Sequence, residues 1–146
     1  MRNVVLYHLQ SLDGVGEEPG DWMSDGGEEI IDNLGAIIAR QDAVVLGRGT
    51  YDYWAGYWPT ADVELADLKQ QDGGDIGIHG SIELSRTLLR ADLVDELRLV
   101  VAPALARRGR KLFDGEDDGG LRLLELRDSR RTAAGSLLLS YRFAAT

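Results

Sequence analysis

Two glycine-marked turns carry the residue types best suited to holding a phosphate. Gly47-Arg48-Gly49-Thr50 follows the apolar run Ala43 to Leu46 and opens a helical stretch. Gly77-Ile78-His79-Gly80-Ser81 stands in the same relation to the run that begins at Asp75. Glycine lets a ligand approach the backbone closely, and a helix N-terminus offers free N–H groups and partial positive charge to an anion. Arg48 and Thr50 add a guanidinium and a hydroxyl for phosphate oxygens. The competing reading is that each glycine serves only the geometry of its turn. A third group is Asp13, in Ser11-Leu12-Asp13-Gly14 at the end of the first apolar run. A carboxyl group there can hydrogen-bond a polar substrate or take part in proton transfer. Asp-Gly is also a plain turn signal. Both readings of Asp13 stand at this point.

Other chemistries find less support. There are no cysteines, which excludes disulfides and thiolate metal sites. The two histidines, His8 and His79, are isolated, so a Ser-His-Asp triad is not readable. The Walker pattern is absent. The acids between Glu17 and Glu29 lack ordered ligand spacing and read as a solvated loop and a helix N-terminus. Arg107, Arg108, Arg110 and Lys111 form a basic cluster, read as a solvated loop with phosphate binding as the minority alternative.

The elements that must position these groups alternate in type. Arg2 to Gln10 predicts a buried strand. Glu28 to Arg40 predicts a helix, with Ile30, Ile31, Leu34, Ile37 and Ile38 on one face and Asp25 with Glu28 resembling a capping box. A strand over Ala43 to Leu46 precedes a helix from Thr50 to Trp58, whose aromatics Tyr51, Trp54, Tyr57 and Trp58 read as a core stripe. Asp62 to Gln71 is a weaker helix. Asp75 to His79 is a strand, followed by a helix to about Arg90 and a strand over Glu96 to Ala102 stopped by Pro103. Leu121 to Leu126 and Ser136 to Phe143 predict an antiparallel strand pair joined by a connection over Asp128 to Gly135. The order predicts an α/β fold: a mixed sheet with helices on its faces and ligands beyond the C-terminal ends of the parallel strands.

The chain has 146 residues, the size of one domain, and a net charge of -9. Such acidity speaks against nucleic acid as a partner. No run approaches the roughly 20 apolar residues of a membrane span. Without the basic start and small-residue cleavage site of a secretory signal, the N-terminus points to a cytoplasmic protein.

The motifs, taken in order, resemble those of a known family. Val4-Val5-Leu6-Tyr7 running into Ser11-Leu12-Asp13-Gly14, Leu46-Gly47-Arg48-Gly49-Thr50-Tyr51, Tyr57-Trp58-Pro59, Gly74-Asp75-Ile76 and His79-Gly80-Ser81 carry the first half of the resemblance. Leu93-Val94-Asp95-Glu96-Leu97, Pro103, Gly109, Leu112-Phe113 and Leu138-Leu139-Ser140-Tyr141 carry the second. Together they resemble the dihydrofolate reductase-like proteins and, within them, the riboflavin-biosynthesis reductase domain that forms the C-terminal half of bifunctional deaminase–reductases. The resemblance implies NADPH as cofactor, held against Gly47, Arg48, Thr50, Gly80 and Ser81. It implies a small-molecule substrate beside Asp13, with Trp22 flanking the active site, and is compatible with a homodimer. The family's reductase step converts a ribosyl group on an aminouracil to a ribityl group. Between Pro59 and Gly73 this chain is shorter than the family pattern, which normally holds another strand there, so the adenine side of the cofactor site departs from it. Two alternatives stand beside the reductase: a non-catalytic cofactor-binding module of the same fold, and an interaction protein that dimerises through its C-terminal strands.

Overall fold

A computed structural model describes residues 2–24, 27–45, 65–79, 82–113 and 121–144. The strands are β1 (Val4–Gln10), β2 (Gln41–Val45), β3 (Asp75–His79), β4 (Glu96–Val101), β5 (Leu124–Arg131) and β6 (Leu137–Phe143). The helices are α1 (Glu28–Ile38), α2 (Leu65–Gln70) and α3 (Ile82–Arg90). Six strands make one sheet in the order β2-β3-β1-β4-β6-β5. β2, β3, β1 and β4 run parallel, while β6 is antiparallel to both β4 and β5.

β1 sits at the centre and is buried on both sides, as its unbroken Val-Val-Leu-Tyr run requires. Alternation sends its residues to two cores. Val4 and Leu6 pack with Ile76, Ile78, Leu97 and Leu99 beneath Leu88 of α3. Val5 and Tyr7 pack with Val100 and Leu138 beneath Ile30 and Ile37 of α1. The sheet is thus covered on both faces, and the α/β architecture expected from the sequence, a mixed sheet flanked by helices with an antiparallel C-terminal strand pair, is the one observed.

Three local expectations need correction. The N-cap of α1 is Gly27, whose carbonyl accepts from the Ile30 N–H, and no side chain caps the helix. Gly27 thus stands at the N-cap position expected of Asp25, which itself lies outside the described residues. β2 begins at Gln41 rather than Ala43. β5 runs from Leu124 to Arg131, through the segment expected to be a connection. The polar Asp128-Ser129-Arg130-Arg131 is held extended by pairing with β6, and every residue of β5 is exposed, so no apolar alternation marks it. The helix expected over Thr50 to Trp58 lies outside the described residues.

Candidate functional site

β1, β3 and β4 end at the same sheet edge, at Gln10, His79 and Val101. Two chain segments leave that edge together. The turn after β1 and the loop after β4 are joined by backbone hydrogen bonds: Ala102 N–H to Gln10 O at 2.8 Å, Leu12 N–H to Ala104 O at 2.8 Å and Gly16 N–H to Arg110 O at 2.9 Å. Val15 and Lys111 add an antiparallel bridge. Gly109 has φ +116°, and a Cβ there would lie 2.7 Å from Val15 Cγ1, so glycine is required for the loop to close against the turn.

Asp13 is the tie between the two segments. Its Oδ1 accepts from the Ser11 hydroxyl at 2.5 Å and from the Ala106 N–H at 3.1 Å, and its Oδ2 accepts from the Arg107 N–H at 2.9 Å. Ser11 is fully buried, and its Oγ in turn accepts from the Val15 N–H. Donors aimed at a carboxylate favour its charged form. The Ser11 hydroxyl first, then the Arg107 amide, lower the Asp13 pKa from 3.8 to about 2. The carboxylate is therefore ionised at neutral pH and holds no proton to give. Asp13 does more than make the Asp-Gly turn: it fixes the loop after β4. Ser11, its partner, escaped the sequence reading; a serine two residues before a turn aspartate is the signal that could have found it.

Trp22 lies across the same loop. It follows a short 3-10 turn at Pro19–Asp21, is buried, and donates its indole N–H to Glu17 O at 2.9 Å. Together with Glu17, Glu18 and Asp21 it faces Leu105, Ala106, Arg108 and Gly109 across a cavity of about 320 Å³. Glu17 is itself anchored, accepting from the Arg110 N–H at 2.7 Å. The structure thus brings Trp22 and Asp13 to the same loop, the tryptophan through the cavity wall and the aspartate through its amide bonds. Three carboxylates against one guanidinium make this cavity wall a poor seat for a phosphate.

At the end of β3, His79 meets Gln41 across the edge, Nε2 to Oε1 at 2.9 Å, and its ring lies 5.7 Å from that of Tyr7. Burial lowers its pKa, so the ring is neutral. Gly77 is the position that permits this contact: a Cβ there would lie 2.0 Å from Gln41 Oε1. For Gly77 the steric reading holds, and the space is taken by the protein's own amide. His8, buried on the other face, has its pKa lowered by desolvation to about 4 and packs against Gly16. Gly47, Arg48, Thr50, Gly80 and Ser81 lie outside the described residues, although β2 and β3, which lead to them, end side by side with Val45 opposite Ile78. Among the described residues no helix is long and apolar enough to cross a membrane.

The described residues fit part of a nicotinamide cofactor. The cavity has the size of small-ligand sites, roughly 300–1,000 Å³. Gln10 Oε1, at the end of β1, is buried without a hydrogen-bond partner among the described residues. The acid-lined wall suits a neutral ring and leaves phosphates to other residues.

Comparison with known proteins agrees with the fold. The family model described as the RibD C-terminal domain matches residues 54–138, more than half of the chain. The uncharacterized protein YwjB of Bacillus subtilis (strain 168) is 28% identical over 144 residues, covering 77% of this chain and 83% of its own. A putative riboflavin biosynthesis protein from Shewanella sp. PV-4 superimposes with a TM-score of 0.76 at 20% identity, over 98% of this chain and 99% of that one. Dihydrofolate reductase from Enterococcus faecalis, solved with NADP(H), superimposes with a TM-score of 0.65 at 15% identity, over 98% and 97%.

Proposed function

The chain belongs to the RibD C-terminal domain family, and from that premise we propose that it is an NADPH-dependent reductase of a small polar molecule, similar to the reductase of riboflavin biosynthesis. The observation that carries the proposal is the cavity between Trp22 and the Leu105–Gly109 loop, at the sheet edge where parallel strands present ligand sites. Gly47, Arg48, Thr50, Gly80 and Ser81 would hold the cofactor's phosphates, the glycines by close backbone approach and Arg48 by its guanidinium. When bound, NADPH supplies a hydride.

The protein's own residues then have three tasks. Trp22 gives the cavity a rigid apolar wall for a flat ring. Asp13, ionised and fixed by three donors, keeps the loop after β4 in place and offers its carboxylate to a substrate hydroxyl or amine. Reduction also consumes a proton, and with Asp13 ionised at neutral pH that proton comes from water reaching the cavity.

Calorimetric titration with NADPH and then NADH tests the reading. The expected result is micromolar binding with NADPH preferred. Absence of binding at millimolar concentration of either would overturn it and leave a fold without the family's chemistry. Arg48→Ala should weaken NADPH binding by about 1.5–3 kcal/mol, the worth of a hydrogen bond to a charged group. Unchanged affinity in the folded variant removes Arg48 from the site.

A further inference from the structure

The cavity beside Trp22 has an uneven supply of charge. One side is the segment from Glu17 to Trp22, and the other is the loop from Leu105 to Gly109. Glu17 is already matched, since its Oε2 accepts from the Arg110 N–H at 2.7 Å and its Oε1 lies 3.5 Å from the Arg110 guanidinium. The carboxylates of Glu18 and Asp21 have no hydrogen bond and no ion pair among the described residues. Both stand on the short 3-10 turn, Glu18 at φ 50°. Trp22 anchors that turn through its indole N–H on Glu17 O at 2.9 Å and its own N–H on Pro19 O at 3.3 Å. Two unmatched carboxylates are thus presented from a fixed segment beside a buried aromatic wall.

Little positive charge is left to balance them. Arg108 alone among the described lysines and arginines lines the cavity. The neighbouring cations are engaged elsewhere. Arg110 bridges Glu17 and Glu83 of α3, with Nη1 3.3 Å from Glu83 Oε1. Arg86 donates to the carbonyls of Lys111 and Leu112. Outside the described residues the chain has a single lysine or arginine, Arg48, which the reductase reading gives to the cofactor. A phosphate monoester brings nearly two negative charges at neutral pH. In this cavity it would meet one guanidinium against two carboxylates, with the ionised Asp13 tied to the same loop. Like charges set side by side count against such a ligand.

We infer that the substrate of this cavity carries no phosphate and is a flat ring with amino groups on one side and a carbonyl oxygen on the other. Carboxylates only accept hydrogen bonds and a guanidinium only donates them. Amino N–H groups therefore match Glu18 and Asp21, and the carbonyl oxygen matches Arg108 across the cavity. Trp22 supplies the flat apolar wall between them. This assignment rests on the reductase reading and departs from a phosphorylated substrate.

Calorimetric titration, with and without saturating NADP+, tests it on three probes. They are the riboside of diaminouracil, the same riboside phosphorylated on its ribose, and uridine, which lacks the amino groups. The oxidised cofactor prevents turnover during the measurement. The plain riboside should bind at least about tenfold tighter than either of the others. Glu18→Gln combined with Asp21→Asn changes two exposed side chains, so the fold is kept. That variant should bind the plain riboside about tenfold more weakly and close most of its gap to the phosphate, because hydrogen bonds to charged groups are replaced by neutral ones. Four results would each overturn the inference: the phosphorylated riboside bound as tightly as the plain one, uridine bound as tightly, a preference unchanged in the double variant, or no binding of the plain riboside at millimolar concentration. Failure of NADP+ itself to bind counts against the reductase reading alone, because the cofactor-free titration still reads the preference of the cavity.

Discussion

At the scale of single residues, two titrating groups set how the protein responds to acid. His8 is neutral because burial lowers its pKa from 6.5 to about 4. Between those values the unfolded chain binds the proton that the folded chain refuses, so stability falls as pH drops through that window. The loss is on the order of 3 kcal/mol. Asp13 acts lower on the scale. Its folded pKa of about 2 lies below the ordinary 3.8, so its contribution is present above the ordinary value and is lost as pH falls toward 2. Urea midpoints of the native chain should therefore decline in two steps. Asp13→Asn should remove the lower step alone and expose the amides of Ala106 and Arg107 to hydrogen exchange. A lower step that survives in Asp13→Asn would assign it to another carboxylate.

Gly77 and Gln41 form a second residue-scale unit. A methyl group at residue 77 collides with the end of the Gln41 side chain, which is flexible and can swing away. The cost of Gly77→Ala is then the lost bond to His79, about 0.5–1.5 kcal/mol. In a Gln41→Ala background the same change should cost close to nothing. Chemical denaturation of the four proteins of the double-mutant cycle measures the coupling, and additive effects would show that Gly77 is needed for another reason.

At the scale of elements, α2 shows how a six-residue helix, too short to stand alone, is held in place. Lys69 is buried, and its Nζ reaches Asp95 Oδ2 at 2.6 Å. The same oxygen accepts from the Val4 N–H at 2.8 Å, and the Lys69 carbonyl accepts from the Arg2 N–H at 2.9 Å. The helix is thereby pinned to the start of β1. Lys69→Ala takes the ammonium away from Asp95 Oδ2 and Leu93 O while the backbone bond to Arg2 survives, and should cost about 1–3 kcal/mol by thermal or urea denaturation. A change under a few tenths of a kcal/mol would mean that Leu68 packing alone seats the helix. The elements legible in the sequence were those with a buried face. β1 and β4 show as Val/Leu runs because burial is what writes a period into a sequence, and in α1 Ile30 and Ile37 carry the buried face while Ile31 and Ile38 of the expected stripe are exposed. Five of the eight β5 residues lie outside the strand read from the sequence, because β5 is exposed on both faces and held by its neighbour's backbone, which leaves no mark on residue type. The candidate site was legible to the extent that it is made of local turns. Asp13 and Trp22 were named from their segments. The bonds from Asp13 to Ala106 and Arg107 join positions far apart in the chain, and only the sheet order β1-β4 brings them together.

At the scale of the whole molecule, the net charge of -9 sets a condition that the proposed cofactor must meet. NADPH is a polyanion approaching a negative field, and its seat depends on local donors such as Arg48. Long-range repulsion acts on the encounter, and the local contacts act on residence. The Debye length falls from about 30 Å at 0.01 M salt to about 10 Å at 0.1 M, so added salt removes the repulsion before it weakens close contacts. Stopped-flow tryptophan fluorescence should show the association rate rising across that range. Arg48→Ala should keep the same rise and dissociate faster than the native chain. An association rate that falls with salt would show that the approach is governed by a local positive surface strong enough to override the global charge, and Arg107, Arg108 and Arg110 on the loop that borders the cavity would be the first residues to test for it.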